Sequence, residues 1–441
     1  MSATLSATGE RGGGVNPTRD GGASLPPPMV TSEPGASLAA GAGCSRVDLG
    51  DSIRLALMVT PQGAGTVREQ IREVLSAITT ILEKQAQPMV VTLQTVFLKD
   101  ARDQAECQQA FAAFYGASSP VINFVLQPPC CGAAVAVEAW AIGGTGVRVE
   151  RFGLQTLAVS YDSVRWVYCA GVEAGTPEPG AYPQTLDALA RLRAALAEAG
   201  SSFQRVVRTW FYLGGIMGAE AGVRRYQELN RARTEFYQAI QFQPSSLAPS
   251  QPCGFYPAST GIGMEGGGLV ASCMALETRR KDLLLAPLEN PQQTPAYAYD
   301  RNHSPQTPKF SRGVALVLGD YATTWVSGTA SIVHAESCHL GDPEQQTAQS
   351  IENIERLISA DNFIAHGLKG CGARLRDLAK IRVYLKRAED LAKCRAICEK
   401  RFGPVPAIYA VADICRPELL VEIEGVAFSR CSRARPGPLT Q

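Results

Sequence analysis

An internal repeat limits what this chain can fold into. Residues 96–116 read VFLKDARDQAECQQAFAAFYG, and residues 383–403 read VYLKRAEDLAKCRAICEKRFG. Both contain a strand that ends in Leu-Lys, an acidic turn, a helix with Cys at the same place and a final Gly. A middle copy begins with VVRTWFYL at residues 206–213. Repetition of this kind predicts a chain built from copies of one supersecondary unit.

Each copy extends in the same way on both sides of these segments. A helical pattern precedes it, at residues 66–85, 182–199 and 343–359, and an apolar strand follows it, at residues 132–142, 268–276 and 419–428. The order is therefore β-strands, helix, strand, helix, strands. A mixed sheet with two helices on one face would bury such a unit. We predict an α/β (α+β) fold of three tandem domains, with boundaries at 47–150, 151–285 and 286–433.

The segments outside the copies differ in composition. Residues 1–46 are rich in Gly, Pro, Ser and Ala with almost no aromatic residues, which predicts a disordered tail. Residues 241–256, rich in Pro, Ser and Gln, are interpreted as an insertion in the middle copy. Residues 434–441 are interpreted as a polar tail.

The charge and the cysteine pattern exclude several classes of protein. A formal net charge of +1 provides no electrostatic attraction to nucleic acid or to a membrane surface. No apolar run approaches the roughly 20 residues that a membrane span needs, and the Met1 end lacks a secretory pattern. The 13 cysteines include no paired CxxC knuckles, and four histidines are few for a zinc site. Reduced thiols and a cytoplasmic location are the resulting expectations.

Two glutamates interrupt an apolar strand pattern near the end of the chain. Glu422 and Glu424 lie within residues 419–428, and they share one face because strand side chains alternate. One interpretation is an edge strand with a solvated face. The other is a carboxyl group placed in a pocket for acid–base chemistry, because acidic residues are disfavoured in buried strands.

The repeat unit resembles the Rid (YjgF-like) fold of the reactive-intermediate deaminases, whose closing strand commonly reads VEIE, as residues 421–424 do here. In that family, an Arg after a Pro-Ala pair holds the substrate carboxylate. Here Pro406-Ala407 is followed by Ile408, which argues against ordinary imine deamination. A Rid-type enamine or imine hydrolase stays as an alternative that an assay with 2-aminoacrylate would test.

Residues 155–430 resemble the chorismatases, which are built from two Rid-like halves. Five stretches in the same order and spacing carry the resemblance: RYQELNRAR at 225–233, STGIG at 259–263, ENPQQTPAYAYDRNHSPQTPKFSR at 289–312, SGTASIV at 327–333 and DICRPELLVEIEG at 413–425. The SGTAS stretch alone is weak, whereas the ENP stretch is specific. The first copy lies outside this resemblance and is interpreted as an additional, structural Rid-like repeat.

The resemblance implies that the substrate is chorismate, a dicarboxylate that carries an enol ether. Removing its side chain as pyruvate needs protonation of the enol-ether methylene carbon, and the family's catalytic acid matches Glu422. Desolvation on an apolar strand would raise the pKa of such a carboxyl towards neutrality. By the same resemblance, Tyr226, Arg233, Tyr297 and Arg312 would hold the substrate, and Arg suits a carboxylate because it can bind it with two donors.

The spacing of these residues fits a shared pocket. Tyr226 and Arg233 are seven residues apart, which is two helical turns, so they face the same way. Tyr297 and Tyr299 would share one face of an extended segment. The alternative is structural: a surface Arg on an amphipathic helix, and tyrosines half-buried in a loop.

Two further positions bear on the product. Chorismatases that hydrolyse chorismate to a dihydroxy-cyclohexadiene acid tend to carry Ala at the positions matching Gly328 and Cys415, whereas those that form 3-hydroxybenzoate carry Gly and Cys. This chain has the second pair, so the resemblance implies 3-hydroxybenzoate, with Cys415 catalytic and Gly328 at the substrate. A packing role is the alternative for Cys415. The chain departs from the family at His303-Ser304, usually Tyr-Gly, and at His334-Ala335, often Gly-His.

The expected enzyme needs no metal and no organic cofactor, because acid catalysis and positioning suffice. We expect a monomer, with a homo-oligomer as the alternative, whose three copies pack around a pseudo-threefold axis. Tyr226 and Arg233 of the second copy would meet Cys415 and Glu422 of the third in one pocket. A catalytically silent protein that binds chorismate without turnover is a further alternative.

Overall fold

A computed structural model describes residues 29–33, 41–50, 52–176, 178–243, 255–300 and 306–432. These residues form three six-stranded sheets that follow one another along the chain, each with helices on one face. The predicted repeat of mixed sheets covered by helices is therefore confirmed. Within the described ranges, no helix combines the length and the apolar character needed to cross a lipid bilayer.

The first repeat contains β1 (Val30–Glu33), β2 (Ala42–Asp48), β3 (Ile53–Val59), α1 (Val67–Glu83), β4 (Met89–Leu98), α2 (Gln104–Tyr115), β5 (Val121–Val125) and β6 (Val135–Gly143). The strand order in its sheet is β1-β2-β3-β6-β4-β5. Helix α1 begins with a capping box between Thr66 and Glu69, which satisfies backbone donors of the first turn. Its buried residues recur every three or four positions and form a stripe against the sheet.

The second repeat contains β7 (Arg148–Arg151), β8 (Thr156–Tyr161), β9 (Val164–Glu173), α3 (Ala181–Glu198), β10 (Val206–Gly214), β11 (Ala219–Glu220), β12 (Val223–Arg224), α4 (Arg225–Gln238), β13 (Ala258–Met264) and β14 (Leu269–Thr278). Its sheet has the order β7-β8-β9-β14-β10-β13, which is the order of the first sheet. The small hairpin of β11 and β12 leads directly into α4.

The third repeat contains β15 (Leu284–Leu288), β16 (Gly313–Leu318), β17 (Tyr321–Ala330), β18 (Ile332–Val333), β19 (Glu336–Ser337), α5 (Pro343–Ile358), α6 (Ala360–Ala365), β20 (Leu378–Leu385), α7 (Leu391–Phe402), β21 (Ala407–Val411) and β22 (Val421–Arg430). The order is β15-β16-β17-β22-β20-β21. Asp342 caps α5 by accepting a hydrogen bond from Gln345 N, and Pro343 fits the first helical position. In each sheet one edge pair is parallel, namely β4 with β5, β10 with β13 and β20 with β21.

The predicted tail is wrong in part, because strand pairing begins before residue 47. Strand β2 pairs with β3 from Ala42 to Asp48, and β1 pairs with β2. The small, polar composition concealed a strand, since its burial comes from neighbours in the sheet rather than from large apolar side chains of its own. The other tail residues, 1–28 and 34–40, lie outside the described residues, as do 244–254 of the insertion and 433–441.

The predicted domain boundaries lie close to the points in the chain where one sheet ends and the next begins. Residue 150 falls in β7, which pairs with β8 of the second sheet, and residue 285 falls in β15, which pairs with β16 of the third. The changes of sheet therefore lie between residues 143 and 148 and between residues 278 and 284.

The three sheets pack on one another through a shared core. The largest apolar cluster contains residues from all three repeats, and each helical face has a further cluster. The first repeat contacts both others: Gln127 Nε2 donates to Gly263 O at 2.6 Å, and Cys130 N donates to Tyr409 O at 2.9 Å. The rotational symmetry between the repeats stays a prediction.

One pair of cysteines departs from the expected reduced state. The structure joins Cys371 and Cys431 in a disulfide across 60 positions of sequence. The chain segments meet there because Ser432 N donates to Gly370 O at 2.8 Å, a contact that cysteine spacing alone does not reveal. The expectation of reduced thiols throughout is therefore wrong for this pair.

Candidate active site

A cavity of about 310 Å³ lies between the second and third repeats. Six of the seven predicted site residues line it: Tyr226, Arg233, Arg312, Gly328, Cys415 and Glu422. The first two come from α4 of the second repeat, and the others come from the third repeat. The structure thus brings together the side chains that were expected to meet in a pocket shared by these copies.

Helix α4 directs Tyr226 and Arg233 to the cavity, in agreement with their seven-residue spacing. The neighbouring strand β13 leaves room for the Tyr226 ring, because a Cβ on Gly261 would lie 3.2 Å from Tyr226 Cε2. Arg233 is only 1% exposed. The alternative that it is a surface residue of an amphipathic helix is therefore wrong.

Strand β22 lies inside its sheet, between β17 and β20. Glu422 is 4% exposed and Glu424 is 1% exposed, so the alternative of an edge strand with a solvated face is wrong. Among the three closing strands, only β22 has a carboxyl group at this register. The equivalent residues are Ala136 in β6 and Val270 in β14, each opposite the aromatic residue of the repeated Phe-Leu or Tyr-Leu pair.

The two glutamates of β22 face the same way but differ in acidity. Burial raises the pKa of Glu422 to about 8, and the charge of Glu424 adds to the rise. Burial would raise the pKa of Glu424 too, but the cations Arg382, Arg208 and Lys380 outweigh it and lower that pKa to about 2. At neutral pH Glu422 therefore keeps its proton while Glu424 is a carboxylate.

The Glu422 carboxyl occupies space that a side chain at position 328 would fill. A Cβ on Gly328 would lie 2.0 Å from Glu422 Oε1 and 3.2 Å from Thr260 Cγ2. Gly328 lies at an irregularity in the pairing of β17 with β22, and its N–H donates to Thr260 Oγ1 at 3.0 Å. The missing side chain at this position therefore determines where the acid can lie.

Arg233 is held through two of its nitrogens. Its Nη2 donates to Asn230 Oδ1 at 2.5 Å, and its Nη1 donates to Ser259 Oγ at 3.3 Å. Its buried Nε finds no acceptor among the described residues. A buried donor without an acceptor costs free energy, so an anionic ligand that accepts from it would be favoured.

Arg312 is the second buried cation at the cavity. Its Nη2 donates to Tyr299 Oη at 2.5 Å and to Thr294 O at 3.2 Å, and its Nε has no partner in the part of the chain that the structure describes. Both guanidinium groups pack against the Phe310 ring, whose centroid lies 5.5 Å from Arg312 Cζ and 5.6 Å from Arg233 Cζ. Two guanidinium groups so close suit a ligand with two carboxylates.

A second buried carboxyl group lies beside Arg312. Glu289 follows the pair Leu288↔Gly313 and so stands opposite Arg312. The backbone N–H of Arg312 faces this carboxyl and, like the Arg312 charge, favours its ionised form. Burial raises its pKa to about 8 against the opposing charge of Arg312. Glu289 is thus neutral at pH 7 and leaves the charge of Arg312 for a ligand, a role that nothing in the sequence assigned to it.

Cys415 lines the cavity as a protonated thiol. Burial raises its pKa to about 12, and Glu422 adds to the rise. The thiolate is the nucleophilic form of cysteine, so the protonated Cys415 is a poor nucleophile at neutral pH. It contributes a small polarizable side chain to the cavity wall. Burial also raises the pKa of Tyr226, so its hydroxyl keeps its proton. A catalytic role for Cys415 stays a prediction.

Tyr297 does not line this cavity, contrary to its predicted role at the substrate. The segment that was expected to be extended forms a 3₁₀ turn at Ala296–Ala298, so side chains two apart no longer share a face. The Tyr297 ring packs against Tyr256, with centroids 5.6 Å apart, whereas Tyr299 lines the cavity. The structure therefore places Tyr299, and not Tyr297, at the site.

The departure at His334-Ala335 lies at the rim. His334 has φ 54° and exchanges two backbone hydrogen bonds with the loop at 292–294. Ala335 O accepts from Arg416 Nη1 at 2.8 Å, and Arg416 lines the cavity although no sequence pattern singled it out. The other departure, His303-Ser304, lies outside the described residues.

The fold and the cavity together define a class: a tandem Rid-like protein whose site offers a protonated carboxyl, a thiol and two guanidinium groups to a small anion. Across the described residues, no three His, Cys, Asp or Glu side chains cluster so as to hold a metal ion.

Comparison with known proteins gives this class a family. No family model matches the chain. A 3-hydroxybenzoate synthase of Streptomyces hygroscopicus is 33% identical over 298 residues, which cover 66% of this chain and 81% of the relative. A chorismatase of Streptomyces rapamycinicus is 34% identical over 276 residues, which cover 60% of this chain and 78% of the relative. The chain therefore belongs to the chorismatase family.

A solved structure shows the same fold. The crystal structure of a chorismatase matches with a TM-score of 0.62 and 21% identity, and the match covers 86% of this chain and 100% of the solved one. Residues 151–433 make up less than two thirds of the chain. The structural match therefore includes part of the first repeat, whereas the sequence resemblance covered only residues 155–430.

Proposed function

We propose that this protein converts chorismate to pyruvate and 3-hydroxybenzoate. The observation that carries the proposal is the buried carboxyl of Glu422, whose pKa burial raises to about 8, in a cavity with two arginines whose Nε donors are unused among the described residues. Chorismate needs both features, because it is a dicarboxylate and an enol ether. The similarity to a chorismatase supports the same substrate, and the similarity to a 3-hydroxybenzoate synthase supports the same product.

Glu422 would act as a general acid. Its O–H donates a proton to the methylene carbon of the enol ether, which leaves a Glu422 carboxylate and an oxocarbenium ion on the side chain. Formation of 3-hydroxybenzoate and pyruvate then consumes no net water, because their atoms sum to those of chorismate, whereas the diene-diol route adds one water. The product therefore depends on whether water or the ring hydroxyl reacts beside Gly328 and Cys415.

Arg233 and Arg312 would hold the two substrate carboxylates. Each guanidinium group is fixed by hydrogen bonds to protein oxygens and keeps a donor for the ligand. Tyr226 and Tyr299 would add phenolic contacts at the same cavity. Such fixed donors orient the methylene carbon towards Glu422, and this positioning is itself worth several kcal/mol of barrier.

The product test is incubation with chorismate followed by chromatography of the aromatic fraction and a pyruvate assay. We expect 3-hydroxybenzoate and pyruvate in equal amounts. Cys415→Ala should divert part of the product to the diene diol, because the smaller side chain admits water beside Glu422. Cys338→Ala, which lies outside the cavity, is the matched control and should not change the product. A wild-type protein that yields only the diene diol reverses the product assignment.

The incubation with chorismate and a parallel assay with 2-aminoacrylate separate the other interpretations. Tight binding of chorismate without pyruvate release would favour a silent binding protein. Faster hydrolysis of 2-aminoacrylate than of chorismate would favour a Rid-type imine hydrolase, although Ile408 replaces the Arg that the resemblance led us to expect there.

Gly328→Ala should lower the rate of pyruvate release at least about 10-fold, because the added methyl group displaces the Glu422 carboxyl and small displacements of a reacting group are costly. The remaining turnover should yield part of its product as the diene diol, since the chorismatases that form it tend to carry Ala at this position. Gly146→Ala is the matched control, since a Cβ there meets nothing within 4 Å. Steady-state rates of both variants, compared at equal folded fraction by circular dichroism, make the test. Wild-type turnover by Gly328→Ala would show that the acid does not need this space.

A further inference from the structure

Five charged side chains from all three repeats meet behind the cavity. Each is at most 4% exposed, and the set comprises Glu138 of the first repeat, Arg208 of the second, and Lys380, Arg382 and Glu424 of the third. Two carboxylates against three cations leave one net positive charge. Burying charges costs free energy that ion pairing often does not fully repay, so a role in function would explain why the chain keeps this cluster.

Glu138 links the first repeat to this cluster. Its Oε2 accepts from Arg382 Nε at 2.5 Å and from Lys380 Nζ at 3.2 Å. Its Oε1 accepts from Trp140 Nε1 at 3.1 Å. The first repeat lines no part of the cavity described above, yet it supplies one of the two anions of the cluster.

Glu424 continues the chain of ion pairs towards the cavity. Arg382 Nη1 lies 3.1 Å and Lys380 Nζ 3.7 Å from its Oε1, and Arg208 Nη2 lies 2.6 Å from its Oε2. The same Oε2 accepts from Thr260 Oγ1, the hydroxyl that also accepts from Gly328 N. Glu424 and Glu422 are two residues apart on one face of β22.

We propose that Glu138 is a positioning residue for the reaction, which acts through Arg382 and Glu424 by setting the net charge that faces Glu422. This inference rests on the proposed function, since it concerns the acid of that reaction. In a water-excluded site, a change of one fixed charge two ion pairs away still reaches the acid. The single net positive charge favours the carboxylate that Glu422 becomes when it gives up its proton.

Other groups also face Glu422 and the cluster. Around Glu422, burial has the largest effect, Glu424 raises its pKa, and Arg208 and Arg312 lower it. Further neighbours that titrate or carry charge are Cys415 and Tyr226 beside Glu422, and Tyr212, Tyr384, Arg54 and Tyr168 beside the cluster. The variants used in the test change only Glu138 and Lys380, so all of these neighbouring groups stay in place while the net charge of the cluster changes.

The test uses three variants of the full chain: Glu138→Gln, Lys380→Met and the double variant. Wild-type turnover should fall as pH rises through about 8, because Glu422 loses the proton that it must donate. Glu138→Gln adds net positive charge and should move this alkaline limb to lower pH by about half a unit or more. Lys380→Met removes positive charge and should move it upwards by a similar amount. The double variant restores the net charge and should return the limb to the wild-type position.

A direct readout keeps the test independent of turnover. The Glu422 carboxyl can be titrated by ¹³C NMR in protein with labelled glutamate, where its signal is identified by its loss in Glu422→Gln. If folded Glu138→Gln and Lys380→Met titrate Glu422 at the wild-type pH, the inference is wrong even if chorismate is the substrate. If the limb moves as expected but the product is not pyruvate, the proposed function fails and the electrostatic link stands.

Loss of folding is a separate outcome, because breaking a buried ion pair is destabilising. If Glu138→Gln does not fold, Lys380→Met and the charge-restoring double variant still decide. An upward shift in the first that the second cancels supports the inference. If Glu422 titrates at the same pH in Lys380→Met and in the double variant, the inference is wrong, because removing the charge of Glu138 then has no effect on the acid.

Discussion

Glu422→Gln should keep its fold and release pyruvate from chorismate at least about 100-fold more slowly than the wild type. Because burial holds the pKa of Glu422 near 8, the native side chain is neutral at pH 7, and an amide of the same shape replaces it without burying a new charge. The amide cannot give up a proton to the methylene carbon. The loss should therefore appear in kcat, with KM changed little, since the substrate contacts of both arginines remain.

The matched control is Glu336→Gln. Glu336 is an exposed glutamate at the same cavity, so its replacement removes a carboxyl from the rim without touching the buried acid. Coupled assay of pyruvate for both variants, with thermal unfolding recorded alongside, gives the comparison. Turnover near the wild-type rate in folded Glu422→Gln would exclude Glu422 as the acid.

Arg312→Met should lower kcat/KM for chorismate at least about 30-fold, because a substrate carboxylate would lose its buried, hydrogen-bonded cation. Most of the loss should appear as a higher KM. The midpoint of thermal unfolding should stay the same or rise. Arg312 is buried beside Glu289, which is neutral at pH 7, so an apolar side chain of similar length relieves an uncompensated charge in the free protein.

Arg395→Met is the control for this substitution. Arg395 is exposed on α7 and packs over the Tyr409 ring at 5.1 Å, away from the cavity. Steady-state kinetics and differential scanning fluorimetry on both variants separate binding from stability. An unchanged kcat/KM in Arg312→Met, or a strong loss of stability without a change in KM, would make Arg312 a structural residue instead.

Local sequence patterns were sufficient for the repeat and for much of the site. The period of two in a strand placed Glu422 and Glu424 on one face, and the seven-residue spacing placed Tyr226 and Arg233 on one side of α4. These relations depend only on backbone geometry, which is the same wherever a strand or a helix forms. The resemblance to a family then selected which of these residues to join into one pocket.

Where local conformation was misjudged, the prediction failed. Tyr297 and Tyr299 were expected to share a face, but a 3₁₀ turn at Ala296–Ala298 sends only Tyr299 to the cavity. Residues 42–46 were assigned to a disordered tail, yet they pair with β3. In both segments the outcome depends on what packs against the chain, and weak local propensities do not contain that information.

The sequence by itself determined that two carboxyl groups would stand side by side on a strand of the third repeat. Only the tertiary structure decided that one keeps its proton and the other loses it. Glu424 is ionised because it is paired with Arg208 of the second repeat and with Arg382, which Glu138 of the first repeat holds in place. Glu422 faces the cavity, where burial has the largest effect and raises its pKa. Ionisation depends on charges and solvent within a few ångströms, and the residues that supply them here are up to 286 positions apart in the chain, from Glu138 to Glu424.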